Sequence, residues 1–567
     1  MKISAWMVFF ALLITPMAVP AANYEVSGDM GSGIRYTLLQ QVTNASGLKR
    51  LELRFVMPEA YTSPTYAMNP SDIRLVFDPP AKETRETDQR GNTVVSAVWE
   101  SPPERAEARL SFNADTQTRL DRLSTKAPFP LKSVPPGLSD YVGPTVQVQS
   151  GHPDIRNMSH QLTNGAKSQF DAVQRILSWV VDNLMYVNPP EHYDALYALS
   201  SGKGNCQNFS HLAASLMRAA GIPVRIVNGI TLNRPFDITR DTGPITFKMA
   251  QGRHSWIEVW FPDLEWVPFD PQQTMLFIPN RYIRLEVGVD NKETINDGLL
   301  RWIRSGPNAP RPRLQESISA DFNDDRVSLA GLRQDYGPRN LLLCPPVLSS
   351  FDTIAAGEKP PPIPLSMDIL KALEYRWPFV FGNLSFPVDV DFAFPRGGAE
   401  TDDDQLTRNF LVESAEYVTT KATQYAQATV LEKPVRLEEI ALALHNFGGS
   451  GMLWVELRKD TTGMPGDVIA ASDLLDLATI STRPGYRWET FDFRKEAPLL
   501  SPGTYWIVLG FTGSPIVNWF YTYGKPVGPV EGTRYKGVFD EKWSGALSYE
   551  FNYRINGLTV EKGASGS

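Results

Sequence analysis

Apolar and polar residues alternate along the first part of the chain. Ile34-Arg35-Tyr36-Thr37-Leu38 and Leu51-Glu52-Leu53-Arg54-Phe55 each put apolar side chains on one face, the period of a half-buried strand. Asp88-Gln89-Arg90-Gly91-Asn92 is a turn before a further strand, Thr93 to Trp99, so residues 22–125 predict an N-terminal antiparallel β-sandwich. The period then changes. After a proline-rich connector, Phe170, Val173, Ile176, Leu177, Val180, Val181 and Leu184 recur at spacings of three and one, which predicts an amphipathic helix. A second helix starts at Cys206 and stops at Gly221-Ile222-Pro223. Strands at Val224 to Val227, His254 to Phe261 and Glu265 to Phe269 complete an α+β domain over residues 126–300.

Residues 301–407 read as an extension and Pro-rich linker. Arg301, Arg304, Arg311 and Arg313 make a basic, solvated face, and Lys359-Pro360-Pro361-Pro362 is stiff. Asp321, Asn323 and Asp325 have the opening spacing of a calcium loop. Arg326 stands where the turn glycine belongs and Leu332 where the closing Glu belongs, so the segment reads as a solvated loop. Over residues 408–560 the strand pattern returns, with turns at Asp460-Thr461-Thr462-Gly463 and Ser501-Pro502-Gly503, and predicts a C-terminal β-sandwich or jelly roll. In Tyr505 to Leu509 both faces are apolar, as in a central strand covered on both sides. Trp519, Tyr521 and Tyr523 share one face, a row that suits core more than sugar stacking.

Composition and the N-terminus add to this. The 567 residues exceed a single core, and the mildly acidic balance, 55 Lys and Arg against 63 Asp and Glu, gives no general attraction for nucleic acid. Lys2, the apolar run Ile3 to Ile14 and the small residues up to Ala21 read as a signal peptide over residues 1–21. That implies a periplasmic or secreted protein with no transmembrane segment in the mature chain. Six histidines without paired ligand spacing predict neither a metal nor a cofactor.

Only two cysteines occur, Cys206 and Cys344. In an exported protein they invite a disulfide, but the surroundings of Cys206 favour chemistry. Asn205 is a good N-cap, so Cys206 falls in the first helical turn, where unpaired N–H groups and the helix dipole favour a thiolate. His254 opens one strand and Asp270 closes the next, so a hairpin makes them neighbours. That proximity carries a register requirement. A two-residue loop at Pro262-Asp263 would turn His254 away from Asp270, whereas a three-residue loop puts His254, Trp256 and Asp270 on one face. His211 lies about 140° round the helix from Cys206 and cannot serve that sulfur.

Gly204-Asn205-Cys206, then Ala219-Ala220-Gly221-Ile222-Pro223-Val224-Arg225, then His254 to Trp260, then Trp266-Val267-Pro268-Phe269-Asp270-Pro271 resemble the transglutaminase-like superfamily. The resemblance implies a papain-like fold with catalytic Cys206, His254 and Asp270. It also implies an acyl-transfer enzyme, peptidase or amidase that attacks amide bonds of peptides or proteins through a thioester, by hydrolysis or transamidation. Gln207 follows the cysteine, where the family often has Arg or Trp, which bears on substrate preference. Asp460 to Ser472 and Leu500 to Trp506 resemble jelly-roll modules of secreted bacterial enzymes, which implies a cell-envelope polysaccharide partner or a structural role. A non-catalytic envelope binding or scaffold protein is the alternative built on the same fold.

Overall fold

The computed structural model describes residues 23–334, 362–383, 405–408, 416–420 and 422–561, apart from residues 122, 188, 242, 250, 273–276, 307, 483–486, 523–527, 530–531 and 548–549. The leader expected at 1–21, Cys344, the first part of the Pro-rich linker, Tyr523 and the tail from 562 lie outside them.

The N-terminal region forms two five-stranded sheets. One runs Arg313–Gln334, Asn23–Thr43, Arg105–Leu120, Tyr66–Asp78, Tyr61–Thr62, and the other Gln405–Arg408, Leu299–Arg304, Leu48–Val56, Thr93–Glu100, Lys82–Thr87. The strict alternation of Ala106, Ala108, Leu110, Phe112 and Ala114 with polar residues buries one face of its strand. Phe77 of the first sheet meets Phe55 and Trp99 of the second, at 6.0 and 5.7 Å between ring centroids. These sheets are not made by residues 22–125 alone. Segments read above as extension return to them, and the segment read as a solvated calcium-like loop is the middle of a 22-residue strand. Asp325 there accepts from Ser32 and Arg281 and is held below the ordinary carboxylate range. Burial raises it, and the Arg281 and Ser32 hydrogen bonds outweigh that.

Four helices follow: α1 (Pro153–Thr163), α2 (Gln169–Asn183), α3 (Ala195–Ser201) and α4 (Cys206–Ala219). They pack on an antiparallel sheet of β1 (Val224–Thr231), β2 (Gly252–Phe261), β3 (Glu265–Phe269) and β4 (Tyr282–Gly288), in the order β3-β2-β1-β4. The periodic apolar residues of α2 are all buried, and Phe170 meets Phe261 and Phe269 on the helix side of the sheet. The opposite face rests on the N-terminal sheets. Tyr61 Oη donates to the Trp266 carbonyl at 3.2 Å and Tyr66 Oη to that of Tyr282 at 2.5 Å. The central sheet is thus a middle layer between helices and β-structure.

The C-terminal region is an eight-stranded and a six-stranded sheet, whose facing sides meet at Tyr425 and Phe551. Gly503–Phe511 is a central strand, and Tyr505 to Leu509 are buried on both faces, as the sequence predicts. Trp519 and Tyr521 are fully buried, and Trp519 stacks on Phe551 at 4.4 Å, so both belong to the core. This region docks on the rest of the molecule. Ala443 and Phe520 enter the core of the helical layer, and Ile245–Phe247 pairs in parallel with Ala546–Leu547. No described helix is long and apolar enough to cross a membrane.

Candidate active site

Asn205 caps α4 in a reciprocal box. Its side chain accepts from Gln207 N–H at 3.1 Å, while the Asn205 N–H donates to Asn208 Oδ1 at 3.1 Å. Asn208 in turn donates to the carbonyls of His192 and Asp194, tying the preceding loop to the helix start. Gly204 is demanded by packing, since a Cβ there would lie 2.2 Å from Asn208 Cβ. The cap fixes Cys206 as the first residue of the helix, at the positive end of its dipole, and Cys206 is buried. Beside it, burial and then the Cys206 sulfur push the Tyr193 phenol up.

His254 reaches the site through register. Phe261 opposes Glu265 and Ile257 opposes Phe269, so the β2–β3 loop holds three residues, Pro262-Asp263-Leu264. Glu265 closes it at φ 58°, the left-handed position such a loop needs. The odd loop puts Ile257, Val267 and Phe269 against the helices and leaves His254 and Asp270 together. His254 Nε2 and Asp270 Oδ2 are 2.7 Å apart, with both side chains fully buried. Asp270 Oδ1 accepts from Gln272 N–H at 3.0 Å, and Oδ2 also accepts from Tyr282 Oη at 2.5 Å. Trp256 lies along the imidazole at 6.1 Å and 27°, and Tyr282 stands edge-on to it at 5.5 Å and 90°. Gly229, opposite His254 in the ladder, makes room for Trp256, because a Cβ there would meet the indole at 2.4 Å.

α4 and β2 are stitched together next to these residues, where Ser210 Oγ donates to the Ser255 carbonyl at 2.9 Å. The helix bearing Cys206 therefore packs on the strand bearing His254. His211 has a separate task. Its Nδ1 lies 2.6 Å from the Tyr193 carbonyl and its Nε2 accepts from Asn291 N–H at 3.3 Å. That pattern needs the neutral ring, and burial pulls its pKa down to about 4. Among the described residues no cluster of three or more His, Cys, Asp or Glu could hold a metal ion.

Sequence reasoning missed Tyr282. It lies twelve positions beyond Asp270, on β4 at the opposite edge of the central sheet from β3, and only the fold brings its hydroxyl back to Asp270.

Residues 156–271 match the family model of the transglutaminase-like superfamily, so the chain carries a transglutaminase-like domain. A stretch of 125 residues is 30% identical to YebA, an uncharacterized protein of Bacillus subtilis strain 168. It covers 21% of this chain and 17% of the relative, so the chain spans well under two thirds of that protein. Among solved structures, a candidate cysteine protease from Cytophaga hutchinsonii aligns with 18% identity and a TM-score of 0.35, over 56% of this chain and 95% of the other. The periplasmic domain of TgpA from Pseudomonas aeruginosa, solved with ethylmercury, aligns with 14% identity and a TM-score of 0.23, over 44% of this chain and 90% of the other.

Proposed function

We propose that this chain is an exported cysteine-dependent acyl-transfer enzyme acting on amide bonds of peptides or proteins, with Cys206, His254 and Asp270 as its triad. The observation that carries the reading is the buried 2.7 Å contact of His254 Nε2 with Asp270, on a strand packed against the helix that Cys206 opens. Asp270 accepts a hydrogen bond from Nε2–H and so fixes the tautomer, which makes Nδ1 the nitrogen that exchanges a proton with the thiol. The thiolate attacks the substrate carbonyl carbon, and the Cys206 N–H at the helix start stabilises the oxyanion. The imidazolium then protonates the leaving amine, and a thioester remains. Water releases an acid, whereas a second amine gives transamidation.

The leader-like N-terminus supports export, and the two flanking regions suit a β-sandwich and a jelly roll. The C-terminal module would attach or position the enzyme. Its aromatic row is core at Trp519 and Tyr521, so a cell-envelope polysaccharide would have to meet other surfaces. Neutral-pH iodoacetamide labelling followed by mass spectrometry tests the nucleophile, together with turnover of glutamine peptides and cell-wall peptides. Selective alkylation of Cys206 and loss of turnover in Cys206→Ala are expected. A Cys206–Cys344 disulfide in the active protein, or turnover by Cys206→Ala, would overturn the assignment and favour the non-catalytic scaffold reading.

A further inference from the structure

Asp270 Oδ2 receives two donors, His254 Nε2 at 2.7 Å and Tyr282 Oη at 2.5 Å, in a site from which all three residues exclude water. Charge drawn toward one donor is not offered to the other. A phenol that shares the oxygen draws on part of its charge and weakens its hold on an imidazolium. Tyr282 is also prevented from drifting away. The Tyr282 carbonyl accepts from Tyr66 Oη at 2.5 Å, and the Asn280 and Ile278 carbonyls accept from Thr116 and Thr118, each at 2.9 Å. Three successive alternate carbonyls leading into β4 are thus clamped by side chains of the N-terminal sheets.

We propose that Tyr282 is a positioning residue of this site: its hydroxyl holds the Asp270 oxygen that binds His254, tempers the imidazolium, and ties that setting to the N-terminal sheets. The inference rests on the triad reading and adds to it a residue outside the matched domain. Of the titratable side chains, Asp270 binds the imidazole and Tyr282 stands edge-on to it, and Cys206 opens the helix packed on its strand. The neighbouring Arg253 is matched by Asp297 and Glu316, and Glu258 on the same strand by Arg225 and Arg284.

Alkylation of Cys206 in the full chain tests this without a known substrate. Iodoacetate is an anion and gains from a protonated His254, whereas neutral iodoacetamide does not. The ratio of their rates across pH, read by mass spectrometry of the Cys206 peptide, therefore steps down where the imidazolium loses its proton. In Tyr282→Phe the step should move up by roughly 0.5–1 pH unit, since Asp270 then gives its full charge to His254. In His254→Ala the step should vanish. A step that stays put in Tyr282→Phe while vanishing in His254→Ala would overturn the Tyr282 role and leave the triad standing. A step that survives His254→Ala would instead overturn the triad reading itself. If Tyr282→Phe fails to fold, as judged by near-UV circular dichroism, Tyr66→Phe takes its place. Loosening the clamp should move the step in the same direction by less, and an unmoved step would overturn the proposal.

Discussion

Between the N-terminal sheets and the central sheet, an apolar core that includes Val227, Ile230, Trp256 and Ile283 is crossed by buried polar contacts. Arg253 of β2 pairs with Glu316 at 3.0 Å and with Asp297, fully buried Arg281 pairs with Asp325 at 2.7 Å, and Asn92 exchanges two hydrogen bonds with the backbone of Val287. Between the C-terminal sheets and the helices the contacts are apolar, chiefly Ala443, Phe520 and Trp488 against the helix core. Polar contacts are directional and costly to leave unmet, so they fix position. Apolar contacts are tolerant, so they hold a neighbour without specifying it to a fraction of an ångström. The chain path agrees. The N-terminal sheets are completed by strands that come after the central domain, and they hold the backbone of Tyr282, one of the donors to Asp270.

The comparison is broken or sharpened first by activity. Cys206→Ala and His254→Ala should each lower turnover by roughly 10³-fold or more, Asp270→Ala somewhat less, and the double variant little more than either single. Trp519→Ala, deep in the C-terminal core, should cost its own sheets about 3–5 kcal/mol yet leave the rate of Cys206 alkylation unchanged. A fall in that rate would show that the apolar side also sets the chemistry.

Next comes stability. Arg253→Met strands two buried carboxylates, Asp297 and Glu316, and should cost about 3–5 kcal/mol in denaturant unfolding while slowing Cys206 alkylation. Phe520→Ala removes a fully buried ring at the other boundary and should cost a similar amount, about 3–5 kcal/mol, but with alkylation unaltered. A chain ending near residue 400 uncovers the same helix surface. It should keep selective Cys206 labelling but unfold at lower denaturant than the full chain. If that chain is folded and unreactive, the C-terminal region belongs to the site. Equal effects of Arg253→Met and Phe520→Ala on alkylation would erase the distinction between the two boundaries.

How much of this the sequence shows depends on the range of the signal. The cap of α4 and the three-residue loop are local, so residue type and parity reveal them. The strand Arg313–Gln334 is hidden for a physical reason. Leu314, Ile318, Ala320 and Phe322 are even-numbered, but Val327 and Leu329 are odd. The pairing with Asn23–Thr43 skips at this point, between the partners of Gly31 and Gly33, and Asp324 sits at φ 51°. A bulge thus splits one alternation into two half-strands around an acidic middle, which reads as a loop. Tyr282 is hidden differently, because nothing near it in sequence announces a hydroxyl aimed at Asp270.

The smallest effect concerns the pin that both boundaries share, because α4 must stay in place for either to matter. His211 joins the Tyr193 carbonyl to Asn291 N–H, and only the neutral ring can donate at Nδ1 and accept at Nε2. Its folded-state pKa of about 4 lies below the ordinary unfolded value of about 6.5. Between these values the unfolded chain binds the extra proton and the folded chain does not. The His211 contribution is therefore whole above about pH 6.5 and is lost as pH falls toward about 4. His211→Gln cannot titrate, so its stability should fall less steeply than that of the natural chain across this window, although it starts lower at neutral pH. Denaturant midpoints at a series of pH values measure both slopes. Parallel slopes would mean that His211 takes up its proton at the same pH in the folded and the unfolded chain and that the pin does not depend on the neutral ring.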